Sequence, residues 1–376
     1  MAKITADYMI SSGTMVSNPL IETDNQGVIL SVVSDVAHAK EQEDVEYYPG
    51  LLIPGMVNSH SHLEYSYVKG KIERGGGLPY FISTIISIKI NDKTTDQQKA
   101  AAALEIDKQM TLEGVVAVAD HNNNDYVYDV KRQSQIYYHS LVELYDEDGQ
   151  SDDETFHAGL SRAAQHSQYG LASTVIPHAC YTMSDRLLQL CGGVLTSDQG
   201  KQATGVLSVH YKESVAMAGD QESDRIFAAL SPQRDSTLLV HSVYASPEDV
   251  DRAKELLGDK LTVVVCPLSN YYIENGMADV MMLREKGVRI AIGTDSLSSN
   301  DDISMVSEMY KVSECFPEVP LTEVVSWATE NGAKALGIDS WAGSITAGKR
   351  SGIVHISNID PQTMRLTALS KGSRVG

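Results

Sequence analysis

Apolar and polar positions follow two different rhythms along this chain. Over residues 1–53 the apolar positions fall in short runs, "KITADYMI", "VILSVVSDV" and "VEYYPGLLI", punctuated by glycine and Asn/Asp clusters. That pattern predicts short strands joined by tight turns, as in small antiparallel structure. From residue 54 onward the rhythm changes. Eight β-rich runs occur in order: "GMVNSHSH", "GVVAVAD", "SQIYYHSLVEL", "LASTVIPH", "TGVLSVH", "STLLVH", "KLTVVVCP" and "GVRIAIGTD". Among the stretches between them, "TTDQQKAAAALEIDKQMTLEG", "SPEDVDRAKELLGD" and "MADVMMLREKG" have helical periodicity. The second opens on a serine followed by acids, and the first and third close on glycine. Those residue types satisfy free N–H groups at a helix start and adopt the left-handed turn at its end. Strand–helix alternation predicts parallel strands, and eight such units predict a (β/α)8 TIM barrel. Two more helical segments, "NDDISMVSEMYKVSE" and "LTEVVSWATENGAKALG", precede a tail, "GSITAGKRSGIVHISNID", that reads as strands again. The expected fold class is therefore α/β. The barrel should span residues 54–341, with a small β-sandwich domain built from residues 1–53 and 342–376.

Composition narrows the function classes. The apolar share of 42% over 376 residues supports a sizeable core. A formal net charge of −20 repels phosphate backbones and anionic lipid, which argues against nucleic acid and membrane as partners. The opening "MAKITADYMI" lacks a basic-then-apolar leader pattern, and no apolar run approaches the length of a membrane span. The four cysteines, Cys180, Cys191, Cys266 and Cys315, show no paired spacing and read as reduced thiols, mostly in the core. A cytoplasmic location is expected.

The candidate chemistry lies at the strand ends. In "PGMVNSHSHLEYS" His60 and His62 are two residues apart, so in a strand they point to one face and can grip a single metal ion. His178 ends the fourth run, His210 the fifth, His241 the sixth and Asp295 the eighth. Active sites of such barrels sit at these C-terminal strand ends. One lone histidine on an apolar run is usually a satisfied core residue; five histidines and an aspartate at one end point to a metal or a catalytic role.

The order of these residues resembles the amidohydrolase superfamily, in its cytosine, guanine and S-adenosylhomocysteine deaminase (chlorohydrolase-like) branch. "PGMVNSHSH" is similar to the H-x-H of the first strand, "VHYKES" to the H-x-x-E of the fifth, "VHS" to the sixth-strand histidine and "GTDS" to the eighth-strand aspartate. "CPLSN" and "WATENGAKALG" extend the resemblance over nearly the whole chain. It implies one divalent ion held by His60, His62, His210 and Asp295. The two-metal branch of the superfamily places a lysine at the end of the fourth strand, where this chain has "IPHAC". Imidazole and carboxylate ligands suit zinc, with iron as the alternative.

Zinc lowers the pKa of a bound water to about 7, making hydroxide available at neutral pH for attack on an electron-poor carbon. Glu213 is placed to protonate a ring nitrogen of the substrate. His241 would orient the hydroxide, and Asp295 would carry its proton to a leaving amine. The expected function is hydrolysis of a non-peptide C–N bond, by deamination of an amino-substituted N-heterocycle or nucleoside of the aminodeoxyfutalosine or adenosyl kind. The alternatives are dechlorination or amide hydrolysis at the same site, or an inactive barrel that binds a small ligand.

For substrate binding, His178 resembles the fourth-strand histidine that contacts substrate in related nucleoside deaminases. "HSHLEYSYVKG" is similar to the H-x-H-L-E-x-S of members linked to aminodeoxyfutalosine, which brings in Glu64 and Tyr65. Glu64 is expected either to meet sugar hydroxyls or a substrate cation, or to hold a histidine. Where adenosyl deaminases carry arginine after the third strand, this chain has the acidic "VELYDEDGQ", which argues against an anionic substrate. His121 is expected to bond its own loop backbone and His139 to lie in the core; His38, His157, His166 and His355 read as surface residues. A homodimer is compatible with the outer faces of the barrel, since soluble enzymes commonly form two-fold dimers.

Overall fold

All eight expected runs form parallel strands: Met56–Ser61, Val115–His121, Tyr137–Leu144, Ala172–Pro177, Val206–Tyr211, Ser236–His241, Leu261–Val265 and Arg289–Ile292. We number these barrel strands one to eight. The computed structural model describes residues 1–146, 149–274, 276–360 and 362–375. Strands one to four pair in order in one sheet and strands five to eight in another. The two sheets meet at both edges through single parallel bridges, Ala179 with His210 and Ser61 with Asp295. Their residues are mostly Val, Ile, Leu and Ala because parallel strands are covered on both faces; every residue of Val115–His121 and Leu261–Val265 is buried.

The seam between strands eight and one fixes His60 beside Asp295. The His60 carbonyl accepts the N–H groups of both Thr294 and Asp295 at 3.0 Å. Gly293 allows this approach, since a Cβ there would stand 2.7 Å from the His60 Cβ, too close for any side chain. Asn58 ties the same seam, donating to the Thr294 hydroxyl at 2.7 Å and accepting the Thr294 N–H at 3.1 Å.

The expected helices form, and the serine start and glycine stop read from local sequence are in place at Ser246 and Gly114. Asp96–Glu113 starts at a reciprocal cap between Thr95 and Gln98 and ends at Gly114, whose φ is 101°. Pro247–Leu257 starts at a Ser246–Asp249 cap. "LTEVVSWATENGAKALG" divides into Leu321–Ala328 and Glu330–Ala335, broken at Thr329. Among the helices with no counterpart in the sequence reading is Gly77–Asn91. Its "GLPYFISTIISIKIN" is rich in isoleucine, a stiff β-branched residue that weakens the helical signal.

Both chain ends contribute to one continuous seven-stranded sheet, where a small sandwich is expected. Its order runs Lys371–Val375, Ile353–Ser357, Glu46–Pro54, Ala2–Ser11, Leu20–Thr23 and Ile29–Val33, with Thr14–Ser17 added beside Ala2–Ser11. Only Gly55 separates this sheet from the first barrel strand, and its N–H donates to the Ser351 carbonyl at 3.1 Å.

One surface expectation is overturned. His166 is fully buried on helix Asp152–Gln168, with its ring 4.2 Å from that of Tyr128. His139 lies in the core as expected, beside the Thr174 hydroxyl at 3.0 Å. His38 is exposed, and His157 and His355 are half-buried. The four cysteines are free thiols, three of them buried. Among the described residues no helix is long and apolar enough to cross a membrane.

Candidate metal centre

The C-terminal strand ends bring His60, His62, His121, His210, His241 and Asp295 together in the interior. The chain bends sharply there. His241 and Asp295 hold left-handed backbone, with φ of 70° and 56°, a costly conformation for non-glycine residues that recurs at functional sites.

His60 is 0% exposed, yet neither of its ring nitrogens has a hydrogen-bond partner. A buried imidazole without partners is costly unless something else satisfies it. The Nε2 atoms of His60 and His62 stand 3.5 and 3.6 Å from Asp295 Oδ1. Those separations are long for hydrogen bonds, but suit donors sharing an ion: two ligands each about 2.1 Å from a tetrahedral centre are about 3.4 Å apart. The other carboxylate oxygen, Oδ2, accepts hydroxyl donations from Ser269 at 2.6 Å and Ser299 at 2.9 Å, which orients Oδ1. His210 Nδ1–H donates to the His178 carbonyl at 2.9 Å, leaving Nε2 as its free lone pair. The donor set therefore fits a divalent ion.

His121 is different, and it corrects the expectation of a loop-backbone bond. Its Nδ1 pairs with Glu143 Oε1 at 2.7 Å and its Nε2 with the Ser208 hydroxyl at 3.0 Å. Both nitrogens are occupied, although the ring lies among the ligand-type atoms, its centroid 4.4 Å from that of His60.

Burial favours the neutral imidazole at His60, His121 and His241, whereas at His210 burial is outweighed by Glu213, Glu143 and Asp295, which raise it. Burial pushes His60 and His121 well below the usual histidine value. Burial alone would raise the Asp295 carboxyl, but the neighbouring imidazoles of His60, His62 and His241 hold it well below the usual range. Glu143 behaves likewise: burial opposes its ionisation, and surrounding histidines led by His62 lower it. Sequence reasoning missed Glu143. It is buried near the end of strand three, with Oε2 3.8 Å from His62 Nδ1 and Oε1 3.7 Å from His210 Nδ1. Its only sequence signal is a carboxylate inside the apolar run "SLVEL".

Glu213 and His241 face one another at the edge of this cluster, Oε2 to Nε2 at 3.6 Å. Glu213 Oε1 accepts the Tyr181 hydroxyl at 2.9 Å, a second residue that pattern alone did not mark. The Asn270 amide donates to His241 Nδ1 at 3.1 Å, which leaves the proton of the neutral ring on Nε2, pointing at the site.

A cavity of about 470 Å³ opens over these groups, within the range of small-molecule sites. His178, Tyr65, Glu143, Glu213 and Asp295 line it, as does one face of helix Gly77–Asn91. Burial with neighbouring imidazoles takes His178 down to about 3, against the pull of Glu143, so it is neutral near pH 7. Glu64 is not among the lining residues. It is fully buried, and its Oε2 accepts from the Asn122 side chain, the Asn123 and Asn124 backbone N–H groups and the Asn124 side chain, all at 2.8–2.9 Å. Its observed work is to pin the loop after strand two; it holds no histidine. Of the acidic stretch after strand three, Glu147 and Asp148 lie outside the described residues. A larger cleft, about 930 Å³, lies elsewhere, lined by residues such as Met1, Tyr137, Trp341 and Arg374, and contains none of the clustered histidines.

The sequence pattern of the amidohydrolase family matches residues 51–374. The chain belongs to the amidohydrolase family. This amidohydrolase is 24% identical to the 5-methylthioadenosine/S-adenosylhomocysteine deaminase of Teredinibacter turnerae, over 83% of this chain and 73% of that protein. It is 23% identical to the 5'-deoxyadenosine deaminase of Methanosphaera stadtmanae, over 94% of this chain and 85% of that one. Its fold is similar to that of an adenosine deaminase from Xanthomonas campestris with bound zinc, with a TM-score of 0.76 at 22% identity, covering 98% of this chain and 87% of that chain. This amidohydrolase is a metal-dependent hydrolase of non-peptide C–N bonds.

Proposed function

We propose that the chain is a mononuclear aminohydrolase that deaminates an amino-substituted N-heterocycle, with adenosine-type nucleosides as the first class to test. The observation that carries this reading is the pairing of two arrangements. His60 and His62 hold Nε2 3.5 and 3.6 Å from Asp295 Oδ1, with His210 in the same histidine cluster, while Glu213 and His241 stand 3.6 Å apart, facing a nucleoside-sized cavity. His60, His62, His210 and Asp295 would hold a divalent ion, zinc by donor chemistry with iron as the alternative, which would supply a Lewis acid and an activated water. The protein's own groups then handle the protons. Glu213 takes one proton from the attacking water and gives it to the ring nitrogen next to the attacked carbon, so that negative charge does not accumulate there. His241 Nε2–H donates to the incoming oxygen. Asp295, oriented by the two serines on Oδ2, takes a proton from the incoming oxygen and passes it to the departing amine. Across the reaction a C–O bond forms, the C–N bond breaks, and the products are the oxo-heterocycle and ammonia.

His178 and Tyr65 are assigned to substrate contact because both line the cavity. Residues 54–341 are taken as the catalytic domain and residues 1–53 with 342–376 as the smaller one. A reducing cytoplasm fits the free cysteines, and a two-fold homodimer is the expected assembly. The deciding experiment is ammonia release by zinc-loaded enzyme across aminopurines, aminopyrimidines and their nucleosides. Release from any of these supports the assignment. Silence toward all of them, with chloride or an amide released from a different substrate, would overturn it.

A further inference from the structure

The cavity has an asymmetric lining. Helix Gly77–Asn91 presents Leu78, Phe81, Ile82, Ile85, Ile86 and Lys89 to it, spaced as one helical face. Five of the six are apolar, and only Leu78 is buried. The face is therefore an apolar wall against an open cavity, which gains stability when a ligand covers it. The charged groups point the same way. Four carboxylates line the cavity, Glu143, Asp146, Glu213 and Asp295, and Lys89 is the one cationic side chain among the described lining residues; a divalent ion on Asp295 would offset the acids beside it, which leaves Asp146 as the acid on the open side. Lys89 itself is exposed and sits over the Tyr65 ring, 4.9 Å from its centroid. Among the described lining residues there is no arginine to pair with an anion.

We propose that the substrate carries an uncharged, apolar tail that seats on the Leu78–Ile86 face, and that the site discriminates against tails ending in a carboxylate. This rests on the deaminase reading above and adds the class of substituent. A carboxylate brought into the cavity would lose water and meet like charge, with Asp146 the acid nearest solvent among those lining it. An apolar tail would cover side chains that are otherwise wet.

The test compares two adenosine analogues that share base and ribose: the 5'-methylthio compound and the 5'-carboxylate. Ammonia release should favour the methylthio compound about tenfold or more in kcat/KM. Two variants move the ratio. Ile86→Lys, at a half-exposed position that leaves the core intact, adds a cation to the wall. Asp146→Asn removes a negative charge but keeps the oxygen that accepts the Ser184 N–H. Both should shift the ratio toward the carboxylate, mainly through KM. A wild-type ratio near one, or one favouring the carboxylate, overturns the proposal while the deaminase reading stands, as does a ratio that neither variant moves. If neither compound releases ammonia, the deaminase reading fails for this substrate class, and calorimetric binding of the same two compounds still decides the tail: tighter binding of the methylthio compound supports the proposal, and equal or reversed affinity overturns it.

Discussion

Replacing Glu213 by glutamine separates proton delivery from metal binding, and the structure sets the size of the expected effect. The carboxylate makes one close contact, the Tyr181 hydroxyl donating to Oε1 at 2.9 Å, and a looser one at 3.6 Å to His241 Nε2. A glutamine carbonyl accepts the same Tyr181 hydrogen bond. The 3.6 Å separation is too long for a strong bond to be lost at the other oxygen. Ground-state changes should therefore stay within the roughly 1 kcal/mol of an ordinary hydrogen bond. What glutamine cannot do is deliver a proton. General acid–base groups contribute about 10²- to 10⁴-fold, or about 2.7–5.4 kcal/mol at about 1.36 kcal/mol per tenfold. The catalytic loss should exceed any structural one by a wide margin. The assay measures metal content by elemental analysis, then kcat and KM by ammonia release, on wild type and Glu213→Gln purified side by side. Metal content should match, KM should change little, and kcat should fall at least about 100-fold. If Glu213→Gln loses its metal, or keeps more than about a tenth of wild-type kcat on the true substrate, the proton-delivery role is refuted.

Ligand removal should behave differently: His60→Ala or Asp295→Ala should lose most of the close-to-one bound ion, whereas His121→Ala, whose nitrogens are already bonded to Glu143 and Ser208, should retain more of it by the same elemental analysis. Two ions per chain would refute the mononuclear assignment. Glu64→Ala strips the acceptor from four buried or half-buried N–H donors and should cost about 3 kcal/mol or more in chemical denaturation; an unchanged midpoint with a raised KM would instead return Glu64 to substrate contact. His166 sits at about 3 because burial disfavours its charged form. Its depressed value means that the unfolded chain takes up a proton below about 6.5 while the native state does not, so stability is lost as pH falls from about 6.5 toward 3. His166→Phe should remove that loss, improving on wild type by up to about 3 kcal/mol at pH 4 relative to the difference at pH 8; parallel stability–pH curves would contradict it. Light scattering should report a dimer, and a monomer would remove that expectation without touching the mechanism.

Local features made much of the fold legible. The helix start at Ser246 was legible because the cap and its partner are three residues apart, whereas the same arrangement of Thr95 and Gln98 went unread. Strand periodicity is legible for the same reason, and so is the His60–His62 pair, whose common direction follows from a two-residue spacing. The helix Gly77–Asn91 escaped because β-branched isoleucines blur the signal and much of its apolar face covers a cavity rather than the core.

By itself, then, the order of strand-like and helix-like segments determined an α/β barrel with its histidines and aspartate gathered at one end, since each step depends on residues near in sequence. Only the tertiary structure decided what each of these groups touches. Asn58 and Thr294 are separated by 236 residues, and His121 and Ser208 by 87, yet they share hydrogen bonds across the barrel. That is how His60 keeps free nitrogens while His121 does not, and how Glu143 comes to lie between His121, His62 and His210. It is also why Glu64, adjacent in sequence to cavity-lining Tyr65, turns away to hold three consecutive asparagines. A side chain's partners depend on the register and curvature of strands that are distant along the chain, and no local periodicity encodes that register.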